Sequence, residues 1–488
     1  MRKKTRDSLN PALLFTAVWL TSLGQVFSAE PGGRVFHAQG EMAGEVTQTT
    51  AILQSRLTAS PGLVEGDVPG AAGWGRFQYS ESPDFSAAKE TEWIEAMAEQ
   101  DFIVRCQIAD LQPGRTYYYR LVFGPDRSQT EVGPTRRFTT LPAADQPVAV
   151  RFVVGNCMNY APYFGKSKGS GRAVRDAKDL ELGYPAMESI RKHEPDFFVG
   201  AGDNVYYDNP APSAAQTLAE MRRKWHEQFV LPRVVAMVGD TATYWIKDDH
   251  DYRYNDADRT GDRPPSHELG VRTFREQMPV VADPDSAAVT YRTIRCGRWL
   301  QIWMVEGRDY RSPNRSPDGP QKTLWGAEQK AWLKRTILAS DAPLKILISP
   351  TPMVGPDDGY KRDNHVSLEG FRHEGEEFLA WLKANRQEDF YIITGDRHWH
   401  YHSVHPTGCE EFACGALNTE NSRLGRVPGD PQSTDPEAKV KQLYTDARPT
   451  GGYLLVEVLP DAASQTARLR FTVHDEWGKT LYSCTKGQ

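Results

Sequence analysis

The sequence predicts a layered α/β domain preceded by a small β-sandwich. Three observations carry that prediction. From about residue 148 onward, apolar runs of strand length alternate with amphipathic helical stretches, the pattern of a layered α/β domain. Residues from about 34 to 140 instead alternate apolar and polar over short runs divided by turn residues. At 488 residues the chain is also too long for one ordinary domain.

The elements follow in order. Arg2, Lys3, Lys4 and Arg6 precede a charge-free stretch from Pro11 to Phe27, and small residues stand at Ser28 and Ala29. This is the layout of a signal peptide over residues 1–28. A retained anchor is the alternative, but ~17 residues with polar interruptions is at the lower limit for a span. No later stretch reads as transmembrane, so the chain is expected to be exported, to a periplasm or outside the cell.

Residues 30–145 form the expected sandwich, with strands at Thr49 to Leu57, Phe102 to Ile108, Tyr117 to Phe123 and, last, Arg137 to Pro142. Leu111-Gln112-Pro113-Gly114 followed by Tyr117 has the pattern of a tyrosine corner, which points to a fibronectin-type or immunoglobulin-like sandwich. Ala143 to Gln146 reads as a linker. In the second domain, residues 146–483, strands are expected at Val148 to Val154, Asp196 to Val199, Leu344 to Ile348 and Phe390 to Thr394. A hairpin is expected through Cys296-Gly297. Helices are expected at Tyr184 to His193, Ala214 to Phe229, Glu328 to Leu338 and Glu374 to Asn385. Two more strands, Tyr453 to Leu459 and Ala467 to His474, close the chain. Pro428 to Pro449 reads as a loop, and the loops Tyr163 to Leu180 and Thr260 to Asp285 are candidate lids by position.

Apolar residues make up 39% and charged residues 25%, enough for a sizeable core. The net charge of −6 offers no basic stripe, so no nucleic-acid-binding module is expected. An acidic balance still permits an anionic substrate, because bound cations dominate a local field. Of the six cysteines, Cys409 and Cys414 are the expected bridge by spacing. Cys157, in a polar turn after Phe152-Val153-Val154, suits a thiolate ligand better than a disulfide.

The chemistry concentrates at strand ends. Gly202-Asp203-Asn204-Val205-Tyr206 and Gly395-Asp396-Arg397-His398 each follow a buried-strand run, Asp248-Asp249-His250-Asp251 follows Tyr244-Trp245-Ile246, and Asn255 lies just beyond. Gly155-Asn156-Cys157 makes a fourth such segment. Carboxylates and imidazoles are costly to bury unpaired, and strand ends are where α/β enzymes collect their chemistry. Singly, a Gly-Asp after a strand is more often a turn or cap, and Tyr206 alone is more often packing. Together they supply what a two-metal phosphoesterase needs, a bridging carboxylate (Asp203) and separate ligands for two ions about 3.5–4 Å apart. A phenolate, a thiolate and a carboxylate favour trivalent iron, while Asn255, Asp396 and further oxygens suit a hard ion such as calcium. Asp256-x-Asp258-x-Thr260-Gly261 starts like a calcium loop but fails at His267, its twelfth position, and reads as a surface loop. His400, His402 and His405 read as surface residues.

As a set, these segments resemble the alkaline phosphatase D (PhoD-like) phosphatases, within the calcineurin-like metallophosphatases. The resemblance takes in Arg136-Arg137-Phe138-Thr139-Thr140, Gly202-Asp203-x-x-Tyr206, Asp248-Asp249-His250-Asp251 with Asn255, Arg308-x-Tyr310-Arg311, Glu328-Gln329-x-x-Trp332-Leu333 and Gly395-Asp396-x-His398. It implies a four-layer α/β/β/α sandwich, a phosphate-ester substrate, and Fe3+ and Ca2+ as cofactors, other divalent metals being alternatives. Carried over by motif, Cys157, Asp203, Tyr206 and His398 hold the iron, and Asp203, Asn255 and Asp396 the calcium. His250 and Asp249 fall in the catalytic segment; His250 either donates a proton or holds the phosphate. Arg308 and Arg311 bind phosphate oxygens or are structural, and His365 is a further candidate for substrate contact. The chain departs from general metallophosphatases in having Asn156-Cys157-Met158 for Asp-x-His, and Glu306 where many relatives have aspartate. The implied activity is hydrolysis of phosphomonoesters or phosphodiesters by a monomeric enzyme. The rivals are a non-catalytic surface binding protein with a degenerate phosphatase domain, and a hydrolase of another ester such as a sulfate.

Overall fold

The computed structural model describes residues 33–283 and 288–487. The expected signal peptide, 1–28, lies outside the described residues. Among those residues no helix is long and apolar enough to cross a membrane.

Two sheets lie face to face. The first has nine strands in the order Thr480–Lys486, Thr466–Asp475, Gly452–Asp461, Val150–Gly155, Phe197–Ala201, Ala242–Ile246, Glu41–Gly44, Ala51–Arg56, Ile103–Ile108. The second has seven, in the order Arg292–Cys296, Leu300–Met304, Leu344–Ser349, Phe390–Thr394, Glu410–Cys414, His400–Val404, Lys441–Thr445. Side chains along a strand alternate between faces, and the core divides accordingly. Phe152, Val154, Phe197 and Val199 join Ile302, Ile346, Ile348 and Ile393 in the core between the sheets. Their neighbours Val153 and Phe198 point outward, onto Met187 and Ile190 of the helix Pro185–Lys192 and Trp225 and Phe229 of the helix Leu218–Phe229. On the other outer face Trp303, Leu347 and Ile392 meet Leu333 and Ile337 of Ala327–Ala339 and Phe378 of Arg372–Ala384. The result is the expected four-layer α/β/β/α sandwich.

The central strands of both sheets run parallel. Val150–Gly155 pairs in parallel with Phe197–Ala201, and that strand with Ala242–Ile246. Leu300–Met304, Leu344–Ser349 and Phe390–Thr394 are parallel neighbours in the second sheet. Parallel strands bring their carboxyl ends to one edge, where α/β proteins build sites.

At the N-terminus, Gly73–Ser80 and Thr116–Gly124 form the heart of a separate six-stranded sheet. The Tyr117 hydroxyl accepts a hydrogen bond from the Gln112 N–H at 2.9 Å, which is the tyrosine corner. The opposing sheet of this sandwich is not self-contained. Glu41–Gly44, Ala51–Arg56 and Ile103–Ile108 continue the nine-stranded sheet, joined through Gly44 opposite Thr243. A Cβ at position 44 would stand 2.5 Å from Pro279, so glycine lets the segment after the helix His267–Gln277 pack onto this strand end.

Several expectations need correction. The helix expected from Ala214 begins at Leu218, where Thr217 and Glu220 form a capping box. The stretch read as a loop at 428–449 contains the edge strand Lys441–Thr445, and the second candidate lid contains the helix His267–Gln277. Cys409 and Cys414 are free, as are the other four cysteines. Cys414 ends the strand Glu410–Cys414 and Cys409 precedes it. Five extended residues place their Cα atoms roughly 16 Å apart, far beyond the ~7 Å limit for a disulfide. His400 and His402 are buried, paired with Asp446 and Glu410 respectively.

Candidate metal centre

The turns after the parallel strands are tight for steric reasons. Cys157, Asp203 and Asp396 all adopt left-handed conformations, at φ of 52°, 53° and 60°. Non-glycine residues there are strained, and such strain collects at functional sites. Gly395 shows why the turns are glycine-led. A Cβ on it would lie 2.2 Å from the Ala201 carbonyl oxygen, so only glycine lets the two strand ends meet.

These turns bring the first predicted ligand set together. The Cys157 thiol lies 3.4 Å from Asp203 Oδ2. The Tyr206 hydroxyl donates to the same oxygen at 3.0 Å and lies 3.4 Å from His398 Nε2. Thiol, carboxyl, phenol and imidazole thus converge from three strand ends. A second group consists of Asp248, Asp249 and Asp396, and a third of Asp249, Asp256 and Asp363; in each, the ligand atoms lie within 4.8 Å of one another. Asp203, Asp249 and His250 link the first group to the others at the same spacing. Asn255 lines the cleft above them, its N–H donating to Asp208 Oδ2 at 2.9 Å.

The residues fit metal ions electrostatically. Asp203, Asp248 and Asp249 are at most 2% exposed. Burial pushes Asp203 and Asp248 well above the usual carboxylate range, and neighbouring carboxylates add to this. Burial likewise pushes the Cys157 thiol and the Tyr206 phenol up. His398 goes the other way, with burial and Arg423 lowering it to about 3, so it is a neutral imidazole. Asp248 Oδ2, Asp249 Oδ1 and both oxygens of Asp363 have no hydrogen-bond partner. Arg308 is shared among these three carboxylates at 2.5, 3.7 and 3.6 Å, which leaves buried negative charge in excess, a cost that a bound cation removes. The first group offers the mixed sulfur, nitrogen and anionic oxygen donors that suit iron, and the others offer the oxygens that suit calcium.

His250 is held for a task. Its Nδ1 lies 2.6 Å from Asp208 Oδ1, its ring stacks on Tyr206 at 4.2 Å, and it lines the cleft. Burial would lower its pKa, but Asp208, Asp249 and Asp203 outweigh burial and raise it well above the usual value. The cleft itself, about 320 Å³, is lined on its other side by Lys361, Arg397 and Arg423, with Tyr360 74% exposed at the rim. The guanidinium of Arg423 lies over Trp399, with one nitrogen on Asp358 at 3.0 Å.

Three predicted contacts are not in the cleft. Arg308 is fully buried behind it, with Nε on Asp248 Oδ1 at 2.7 Å and Nη1 on the Ala257 carbonyl. There it is a counter-charge for the acidic cluster. Arg311 is equally buried and donates to the Gly307 carbonyl and Asn314. His365 packs on Trp325 and Glu374, away from the site. The segment holding it does reach the centre, but through Asp363. Asp249, taken from its motif as catalytic, belongs to three of the four groups of closely spaced ligand atoms, a position that suits a metal ligand. Glu306 is buried on Lys247 at 2.5 Å and caps the Arg308 N–H, and Gln329 pins its backbone.

Sequence reasoning missed Asp208, Asp256, Lys361, Asp363 and Asn421. Asp256 had a signal, the acidic start of the segment read as a surface loop. It turns inward, where burial and Asp363 raise its pKa to about 7 and the Lys361 ammonium pairs with it.

Comparison with known proteins agrees with this geometry. Residues 152–466 match the family model described as PhoD-like phosphatase, and residues 25–142 the PhoD-like phosphatase N-terminal domain. The chain is 23% identical over 390 residues to alkaline phosphatase D of Bacillus subtilis (strain 168), covering 74% of this chain and 64% of that protein. Its fold matches the solved structure of PhoD with a TM-score of 0.69 at 18% identity, over 92% of this chain and 88% of that one. It also matches the purple acid phosphatase PPD1 from yellow lupin (Lupinus luteus) seeds, with a TM-score of 0.58 at 13% identity over 91% and 73%. With one family model spanning more than half of the chain and a second covering the N-terminal motif, the protein belongs to the PhoD-like phosphatases.

Proposed function

We propose that this chain is an exported, metal-dependent phosphoesterase acting on phosphomonoesters, phosphodiesters or both. The observation that carries the reading is the convergence of Cys157, Asp203, Tyr206 and His398 beside buried carboxylate oxygens that lack hydrogen bonds, at the foot of an open cleft. Alkaline phosphatase D of Bacillus subtilis, to which the chain is similar, carries that activity in its name. We assign Cys157, Asp203, Tyr206 and His398 to Fe3+, and Asp203, Asn255 and Asp396, with Asp249 added, to Ca2+. When bound, the ions clamp the phosphoryl oxygens and make water nucleophilic at neutral pH.

The side chains supply the rest. Asp208 holds His250 through Nδ1, leaving Nε2 to protonate the departing alkoxide. Arg423 and Lys361, at the cleft wall, hold non-reacting oxygens of the substrate. Arg308 steadies Asp248 from behind. The sandwich spans residues 30–145 and the catalytic domain 146–483, and we infer a monomer.

The test is hydrolysis of an aryl phosphate, a bis-aryl phosphate and an aryl sulfate by metal-loaded and chelator-treated protein. Turnover of either phosphate that chelation abolishes supports the reading, and the ratio of the two fixes the ester class. A folded, metal-loaded protein that turns over none is a binding protein. One that prefers the sulfate is a hydrolase of the other ester.

A further inference from the structure

Tyr206 has a further polar neighbour besides Cys157, Asp203 and His398. Asn421 donates from Nδ2 to the Tyr206 oxygen at 2.9 Å and, with its other hydrogen, to the Cys157 carbonyl at 3.1 Å. Its Oδ1 accepts from Asn159 Nδ2 at 3.2 Å. An amide carries both donors on one atom and only acceptors on the other. With a donor facing Oδ1 and a carbonyl facing Nδ2, the amide cannot be turned round. Its N–H is therefore held toward the phenol oxygen, at a residue only 8% exposed.

The turn that carries Asn421 is clamped from outside. Arg175 binds both oxygens of the adjacent Glu420 at 2.7 Å and reaches Glu476 at 2.7 Å. The Ser170 N–H donates to the Glu420 carbonyl at 3.0 Å. A Cβ at position 171 would lie 1.9 Å from the Thr419 carbonyl oxygen, so Gly171 lets this segment lie flat on the turn. The loop expected to be a lid is thus a strap over Thr419–Asn421.

We propose that Asn421 is the positioning residue for Tyr206. Its hydrogen bond aims the phenol oxygen at the ion and draws electron density from it, and the 170–175 strap keeps the amide in place. The proposal rests on Tyr206 being a metal ligand. Outer partners of this kind orient ligands and set their donor strength.

The test loads wild type, Asn421→Leu, Asn421→Asp and Tyr206→Phe with ferric iron. The readouts are the visible phenolate-to-iron band and iron retention against a chelator. Asn421→Leu keeps the shape but loses the donor. Its band should move to longer wavelength, and its hold on iron should weaken by about 10–100-fold. Asn421→Asp still accepts from Asn159 but faces Tyr206 with an acceptor, and its band should move further the same way. A band unmoved in both variants overturns the proposal. Should Asn421→Leu fail to fold by circular dichroism, the Asn421→Asp band decides alone. If wild type shows no band that Tyr206→Phe removes, the proposal falls, even where phosphate-ester hydrolysis persists. A shifted band in a protein that hydrolyses nothing keeps the proposal and sinks the phosphoesterase reading.

Discussion

Asp101 and Asp203 are both buried carboxylates, and the chain treats them in opposite ways. Asp101 sits where the N-terminal sandwich meets the catalytic domain. Its Oδ1 accepts from Arg56 at 3.0 Å, and its Oδ2 accepts from Gln277 at 2.8 Å and lies 2.7 Å from His226 Nε2. Burial alone would raise its pKa, but His226 and Arg56 outweigh burial and hold it well below the usual range. Asp203 is surrounded by a thiol, a phenol and further carboxylates; burial drives its pKa up, the carboxylates of Asp249, Asp251 and Asp396 add to this, and His250 offsets only part of it. A fold that can satisfy a buried carboxylate, and does so at Asp101, leaves Asp203 short of positive charge. That shortage is the signature of a site completed by a cation from outside.

The contrast can be broken by substitution. Asp203→Asn should cut phosphate-ester hydrolysis by more than the roughly 10–100-fold typical of losing an outer partner of a metal site. In chelated protein the same change should raise the thermal midpoint, because it relieves repulsion; a lowered midpoint would contradict the comparison. His250→Asn should lower kcat by about 10²–10⁴-fold on alkyl phosphates, and by less on aryl phosphates, whose leaving groups need no proton. Equal losses on both would remove His250 from the proton-donor role. Asp101→Ala should destabilise the protein by about 3–5 kcal/mol in denaturant titration, because it strands buried Arg56. Activity of the folded fraction should be unchanged.

Acidity sharpens the same contrast. Asp256 is raised to about 7 by burial and Asp363, and burial raises Asp251 to about 6. Groups raised on folding bind more protons in the native state, so they weaken the fold as pH rises from about 4 through 7. Asp101, lowered on folding, gives stability that is present above the unfolded carboxylate value of about 4 and lost as pH falls below it. Chelated protein should therefore lose stability from pH 5 to 8, and metal-loaded protein should lose less; melting curves at fixed ionic strength would show it. The smallest effect concerns the sandwich. Tyr117→Phe removes one hydrogen bond and should cost about 1 kcal/mol.

The sequence made the layers legible because their strands are fully apolar runs bounded by glycine and acid, as at Phe197–Ala201 and Phe390–Thr394. The four ligand segments were legible because their chemistry makes poor core. Asp363 and Asp208 were not, because each sits in an ordinary polar stretch and gains meaning only from neighbours distant in sequence. Asp208 lies 42 residues from His250. For Arg308 and Arg311 the sequence left phosphate binding and a structural part both open, because a guanidinium suits either, and burial against Asp248 and Asn314 favours the structural part. The division into two domains followed a change in patterning near residue 145, which is silent about strands crossing from one domain into the other's sheet.

That crossing constrains how the protein can be cut or rebuilt. If the chain were severed in the 143–146 linker and the front piece discarded, Ala242–Ile246 would become the rim of its sheet, because Glu41–Gly44 is its neighbour there. All five of its residues are buried, and an uncovered apolar rim invites other chains to add strands. The segment that follows it is Asp248-Asp249-His250. The front module is thus a guard rail for the strand that delivers the chemistry, and a shortened enzyme is expected to aggregate before it can be assayed.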